Sequence, residues 1–253
     1  EADDGGNIEV AGGFARSGFG GSIIMRTGYS LGASSGTFDI ATANAGEDGV
    51  SGHMTMFTGT TSAGNSGHVR IETGVATSGR GGAFTVLVGT GNSGSGGSVD
   101  ITSGKTTASS GSGGTVTVTT GSSTATSSGN MIMKSANAGS RGVSGSIYMS
   151  TGSTTSGTSG DMKFQTGVAT GGQGGDIEFF VGSGNSGNGG HYILIAGETS
   201  AAAKQGGDVE ITAGLGSNTA TSNGGKGGDV TITAGESAGM SPTLNEGGSI
   251  GIY

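Results

Sequence analysis

A nine-residue motif recurs along this chain and constrains it more than any other feature: Gly-Gly or Ser-Gly, a variable residue, then apolar, variable, apolar, variable, a small residue and usually a closing Gly. Instances include GGSIIMRTG, SGHVRIETG, GGAFTVLVG, GGDVEITAG and GGDVTITAG. Sixteen copies begin at positions 5, 20, 35, 51, 66, 81, 96, 113, 128, 144, 159, 174, 189, 206, 227 and 247. Successive starts lie 15 to 17 residues apart until the last two spacings, which are 21 and 20. A second period overlies the first. SGTFDIATANAGEDGVSG at 35 matches SGNMIMKSANAGSRGVSG at 128, and GVATSGRGG at 74 matches GVATGGQGG at 167, each pair 93 residues apart. Six short repeats therefore make one super-repeat, the mark of an array enlarged by tandem duplication.

Within each motif apolar and variable residues alternate, which is the period of a strand with one covered face. Val209 and Ile211 fall on one face, and Asp208, Glu210 and Thr212 on the other. So short a strand cannot cover its own apolar face, and stacking of consecutive repeats is the economical solution. The expectation is an all-β chain: a parallel β-solenoid of about sixteen coils of 15 to 21 residues, forming a single domain over residues 1–253. Coils ~4.8 Å apart would stack to a length of about 75 Å. Glycine pairs at the corners would supply positive φ.

Composition removes the rival classes. Gly supplies 61 of 253 residues, but only one Pro is present and Gly does not recur at every third position, so a collagen helix is excluded. The fixed placement of apolar pairs argues against a disordered low-complexity segment. A net charge of −8, with ten Lys and Arg spread thinly, argues against nucleic acid as a partner. No apolar run approaches the ~20 residues that span a bilayer. Cysteine is absent, so no disulfide holds the fold. There is no Asn-x-Ser/Thr site for N-linked glycans. The start at Glu1 without Met and the stop at Tyr253 inside a motif suggest a processed protein or a piece of a longer array.

Catalytic signatures are missing: no Ser or Thr nucleophile is set with a His base, and no acidic and basic groups converge as in the grooves of carbohydrate-cleaving β-helices. No enzyme activity and no cofactor is expected. Asp161, Asp176, Asp208 and Asp229 share one outward column with His191, and a carboxylate ladder of that kind could hold Ca²⁺. Capping of glycine corners explains the same residues more simply, so they are weak metal candidates. His53 and His68 are two ligands at most. The seven Met residues in inward phase, such as Met25, Met133 and Met162, suit filling of an irregular interior. Outward Thr-x-Thr, as at Thr115, Thr117 and Thr119, hints at an ice-binding face, but Arg26, Asp39, Phe57 and Lys163 interrupt it.

Large apolar residues in outward phase carry more information: Ile24, Phe57, Leu87, Ile132, Tyr148, Phe180, Ile193 and Ile195. Leu87 and Phe180 are equivalent across the 93-residue period. A patch of this kind reads as a protein interface. An array without a visible polar cap would also offer open strand edges.

The units GGDVTITAG and GSGNSGNGG resemble those of Gly, Ser and Thr-rich repeat proteins of diatoms and related algae, and the likeness runs along nearly the whole chain. That resemblance implies a secreted or cell-surface fibrous role. The functional expectation is a structural, non-catalytic subunit of an extracellular filament, fibre or coat that assembles with itself, end to end and through the outward apolars. Cell-surface polysaccharide is a further candidate partner, and an ice-binding or adhesin-type surface is the alternative.

Overall fold

A computed structural model describes residues 5–239 and 246–252. Pro242 and Tyr253 lie outside them. The chain divides into two units, Glu1–Ser128 and Gly129–Tyr253, and the division falls where the second 93-residue super-repeat begins.

Each motif is a short extended arm. Alternation of faces is visible in side-chain pairs two residues apart: Arg70 meets Glu72, Lys163 lies 3.2 Å from Asp161, and Thr212 donates to Glu210 at 3.3 Å. Only an extended backbone brings residues i and i+2 to one side. In the arms of Arg70, Lys163 and Thr212 side chains two residues apart do share a side, although no strand forms among the described residues.

The parallel β-solenoid does not. Among the described residues there is no helix and no strand ladder, and the arm of Val209 and Ile211 is not paired with that of Val230 and Ile232. Backbone-to-backbone hydrogen bonds join only eight pairs of described residues, and six of them share one pattern. The second Gly of a pair donates to the carbonyl of the Gly that closed the preceding arm. In the first unit these bonds are Gly21 to Gly13 at 2.8 Å, Gly36 to Gly28 at 3.1 Å and Gly114 to Gly104 at 2.8 Å. In the second they are Gly207 to Gly197 at 2.9 Å, Gly228 to Gly214 at 2.9 Å and Gly248 to Gly235 at 2.8 Å. At these six junctions the arm starts where its predecessor ended.

The linker chemistry explains the difference. A solenoid coil needs its linker to carry the chain back along the arm, but these linkers curl up and bring their own ends together. Ser30 Oγ accepts from the amides of Gly32 and Ala33, Ser123 Oγ from those of Ala125 and Thr126, and Asn218 Oδ1 from that of Ala220. Such Ser, Thr and Asn turns compete with extended backbone. Glycine completes them by entering the left-handed region, with φ of 109° at both Gly64 and Gly157 and of 75° and 77° at Gly94 and Gly187. Both pairs are 93 residues apart, so the super-repeat extends to backbone conformation. These four stand inside the linkers and not in the glycine pairs, where positive φ was expected.

No described residue is buried. The chain exposes 25492 Å². A folded monomer of its 23.9 kDa mass would expose about 10,000 Å². Its own arms leave most of the apolar surface in water.

Candidate functional site: arch clasps and uncovered arms

Two consecutive arms and their linker form an arch, closed by a clasp at its throat. The inward face of an arm carries the two apolar residues and, third, the small residue before the closing Gly. That third position is the most covered place in the repeat. Thr58, Ser103, Thr120, Ser135, Ala196, Ala213 and Ala234 are half-buried while almost everything else is exposed. Within each unit such residues face the next glycine pair: Ser135 Cβ stands 3.3 Å from where a side chain on Gly145 would begin, Ala196 Cβ 3.5 Å from that point on Gly207, and the more exposed Thr27 Cβ 3.5 Å from that point on Gly36. At Gly97 and Gly190 the distance, to Val88 Cγ1 and Val181 Cγ1, falls to 2.8 Å. The throat admits no side chain there.

Close approach, and not positive φ, is what the second Gly provides at Gly21, Gly97, Gly114, Gly145, Gly190 and Gly207. Ser replaces the first Gly of the pair in six repeats, at 35, 51, 66, 128, 144 and 159, but the second position is Gly in all sixteen. Close approach accounts for it at the tight throats and not at Gly36, Gly160 or Gly175, where a Cβ would meet only ordinary contacts of 3.5 to 3.9 Å. Where the small residue has a hydroxyl, it adds a second bond across the throat. Thr58 Oγ1 donates to the Gly67 carbonyl at 3.2 Å and Ser103 Oγ to that of Gly114 at 2.8 Å.

Beyond the clasp the inward faces of neighbouring arms look toward each other. Phe179 and Tyr192 stack at a centroid distance of 6.2 Å, tilted by 34°. They lie two residues in from the Val181 and Gly190 throat on each side, so the two arms run in opposite directions. A cleft of about 400 Å³ opens between another such pair, lined by Ile132, Met133, Lys134, Ser135, Ser146 and Ile147. Even inward residues stay wet: Ile23 and Val209 keep 51% of their surface, and Met162 keeps 44%.

The outward apolars Ile24, Phe57, Leu87, Ile132, Tyr148, Phe180, Ile193 and Ile195 are all exposed, from 71% at Ile24 to 92% at Tyr148. Of the weak metal candidates, Asp161 pairs with Lys163 and Asp208 accepts from Gln205 Nε2 at 3.1 Å. Among the described residues no three His, Asp or Glu side chains come together as a metal site, so Asp176 and Asp229 do not join the other two in a cage. No described helix is long and apolar enough to cross a membrane.

Sequence reasoning missed the clasp. Its signal was present in the tolerance of Ser at the first but never the second position of the pair. Compared with protein families, curated proteins and solved structures, the chain matches none.

Proposed function

We propose that this chain is a structural, non-catalytic protein of an extracellular fibre or coat, ordered as an assembly of its own copies. One observation carries the reading: the chain exposes 25492 Å², with Phe, Tyr, Ile, Val or Met uncovered in every repeat along it. Removing that surface to the level of an ordinary folded monomer means covering roughly 15,000 Å². A standard two-protein interface covers about 1,600 Å², and large obligate ones ~5,000 Å². One partner is therefore too small, and repeated association is required. The chain has the raw material for it, because each arm is nearly the same as the next.

Secretion and a coat-like setting rest on the resemblance of units such as GGDVTITAG to the Gly, Ser and Thr-rich repeat proteins of diatoms and related algae. An ice-binding face would need Thr columns held at the spacing of a ladder, and no ladder among the described residues sets that spacing. The fibre reading is tested by sedimentation and negative-stain electron microscopy of the purified chain over a range of concentrations. It predicts multi-chain particles or fibres. A 23.9 kDa species at every concentration would overturn it.

A further inference from the structure

We propose that the copies associate through the backbones of their arms, in parallel and without offset, so that each arm pairs with the same arm of other copies. The proposal rests on the self-assembly reading above and specifies its partner and register.

The arms are ready for such pairing. Their backbones are extended, as the Arg70 with Glu72 and Asp161 with Lys163 neighbours show. Within the chain, backbone bonds occur at the throats and in two linkers, and none joins the middle of one arm to another. Exposed edges of extended backbone are templates for strands of another chain. Between the facing arms of Phe179 and Tyr192 side chains meet, so the backbone edges of those arms are left to a further chain.

Register follows from the uneven spacing of repeats. From position 35 the spacings run 16, 15, 15, 15, 17 and 15, then 16, 15, 15, 15, 17, 21 and 20. A copy shifted by one repeat would set a 15-residue spacing against 17, and 17 against 21. An antiparallel copy would set the 21 and 20 spacings at one end against 15 and 15 at the other. A shift of 93 residues matches spacings for only part of the chain, and it lays Asp39 on Ile132 and Asp100 on Ile193. Carboxylates against apolar side chains lose hydration without a partner. With no shift every spacing meets itself, Ile132 and Ile193 meet their own copies, and each Lys163 sits beside the neighbouring Asp161 as well as its own. Asp39 and Asp100 then face their own copies, a like-charge cost set against the match of every spacing along the chain. Register of this kind is set by matching lengths and faces.

The chain has no Cys, so one introduced thiol reports its own neighbours. Thr85 is exposed in the middle of an arm, and Glu178 is its equivalent 93 residues later. Thr85→Cys protein, assembled and oxidised with diamide, should give disulfide-linked dimers in high yield, and none in denaturant. Strands ~4.8 Å apart fall within the Cα separation that a disulfide needs. Thr85→Cys mixed with Glu178→Cys before assembly should give each homodimer and no mixed dimer. Mixed dimers alone, or no dimers in a protein that still sediments as a multi-chain particle, would overturn the register and leave the assembly reading standing. A protein that stays monomeric would overturn both.

Discussion

Replacing Gly190 by Ala probes the clasp with a single methyl group. The new Cβ would stand 2.8 Å from Val181 Cγ1, closer than side-chain carbons approach, and Val181 is its one neighbour within 4 Å. Valine is β-branched and stiff at χ1, so relief must come from opening the throat. Val181 is 49% exposed, so the cost falls at the low end of the range for an overpacked core, about 1 kcal/mol. In a chain of this length each kcal/mol lowers the melting temperature by roughly 2–4 °C. Gly160→Ala is the control, because its Cβ would meet Thr151 Cβ at an ordinary 3.9 Å. Its φ is not in the left-handed region, so loss of chain entropy in the unfolded state makes it neutral or stabilising by about 0.4–1 kcal/mol. Combining Gly190→Ala with Val181→Ala removes the clash, and the two changes should couple favourably by about 1 kcal/mol. Thermal and urea unfolding of the assembled protein, followed by circular dichroism at one fixed concentration, measures all four proteins. Equal melting of the Gly190 and Gly160 variants, or no rescue by Val181→Ala, would refute the clasp.

Three further outcomes follow from local geometry. Ala203 holds φ at 55°, where a Cβ costs ~1–2 kcal/mol, so Ala203→Gly should raise the urea midpoint despite the added freedom of glycine. Ser103→Ala deletes the 2.8 Å bond to the Gly114 carbonyl and should cost about 0.5–1.5 kcal/mol in the same assay, whereas Ser112→Ala should leave the midpoint unchanged. Arg70→Ala removes an ion pair whose side chains are 73% and 61% exposed, and its effect should stay below about 1 kcal/mol and shrink further in high salt.

The sequence made the arms legible and left their partners open. Alternation in HVRIET says that Val69 and Ile71 share a face that should be covered, and the ion pair of Arg70 with Glu72 bears out the alternation. It does not say what covers that face. A strand pattern serves equally for a ladder within one chain and for an arm completed by another, because both bury the same side chains. The choice was made by the linkers, where Ser30, Ser123 and Asn218 bond to nearby amides and close the path that a solenoid coil would need. Glycine was read as a source of positive φ, which is true of Gly64 and Gly157 inside linkers. The glycine pairs serve a different need, visible only when Val181 is seen against Gly190. Parity assigns Phe57, Leu87 and Phe180 to the outward side of an extended arm, but exposure does not single out that side, because inward Ile101 at 79% and Val118 at 72% are as open as outward Ile24 at 71%.

Hydrogen exchange of the arm amides, measured on the assembled protein and on the chain diluted until it sediments as one copy, tests the dependence on other chains most directly. Slow exchange at residues such as Val86, Val118 and Ile211 in the assembly, lost entirely in the single copy, is the predicted result. A single 23.9 kDa chain that kept those amides protected would contradict it.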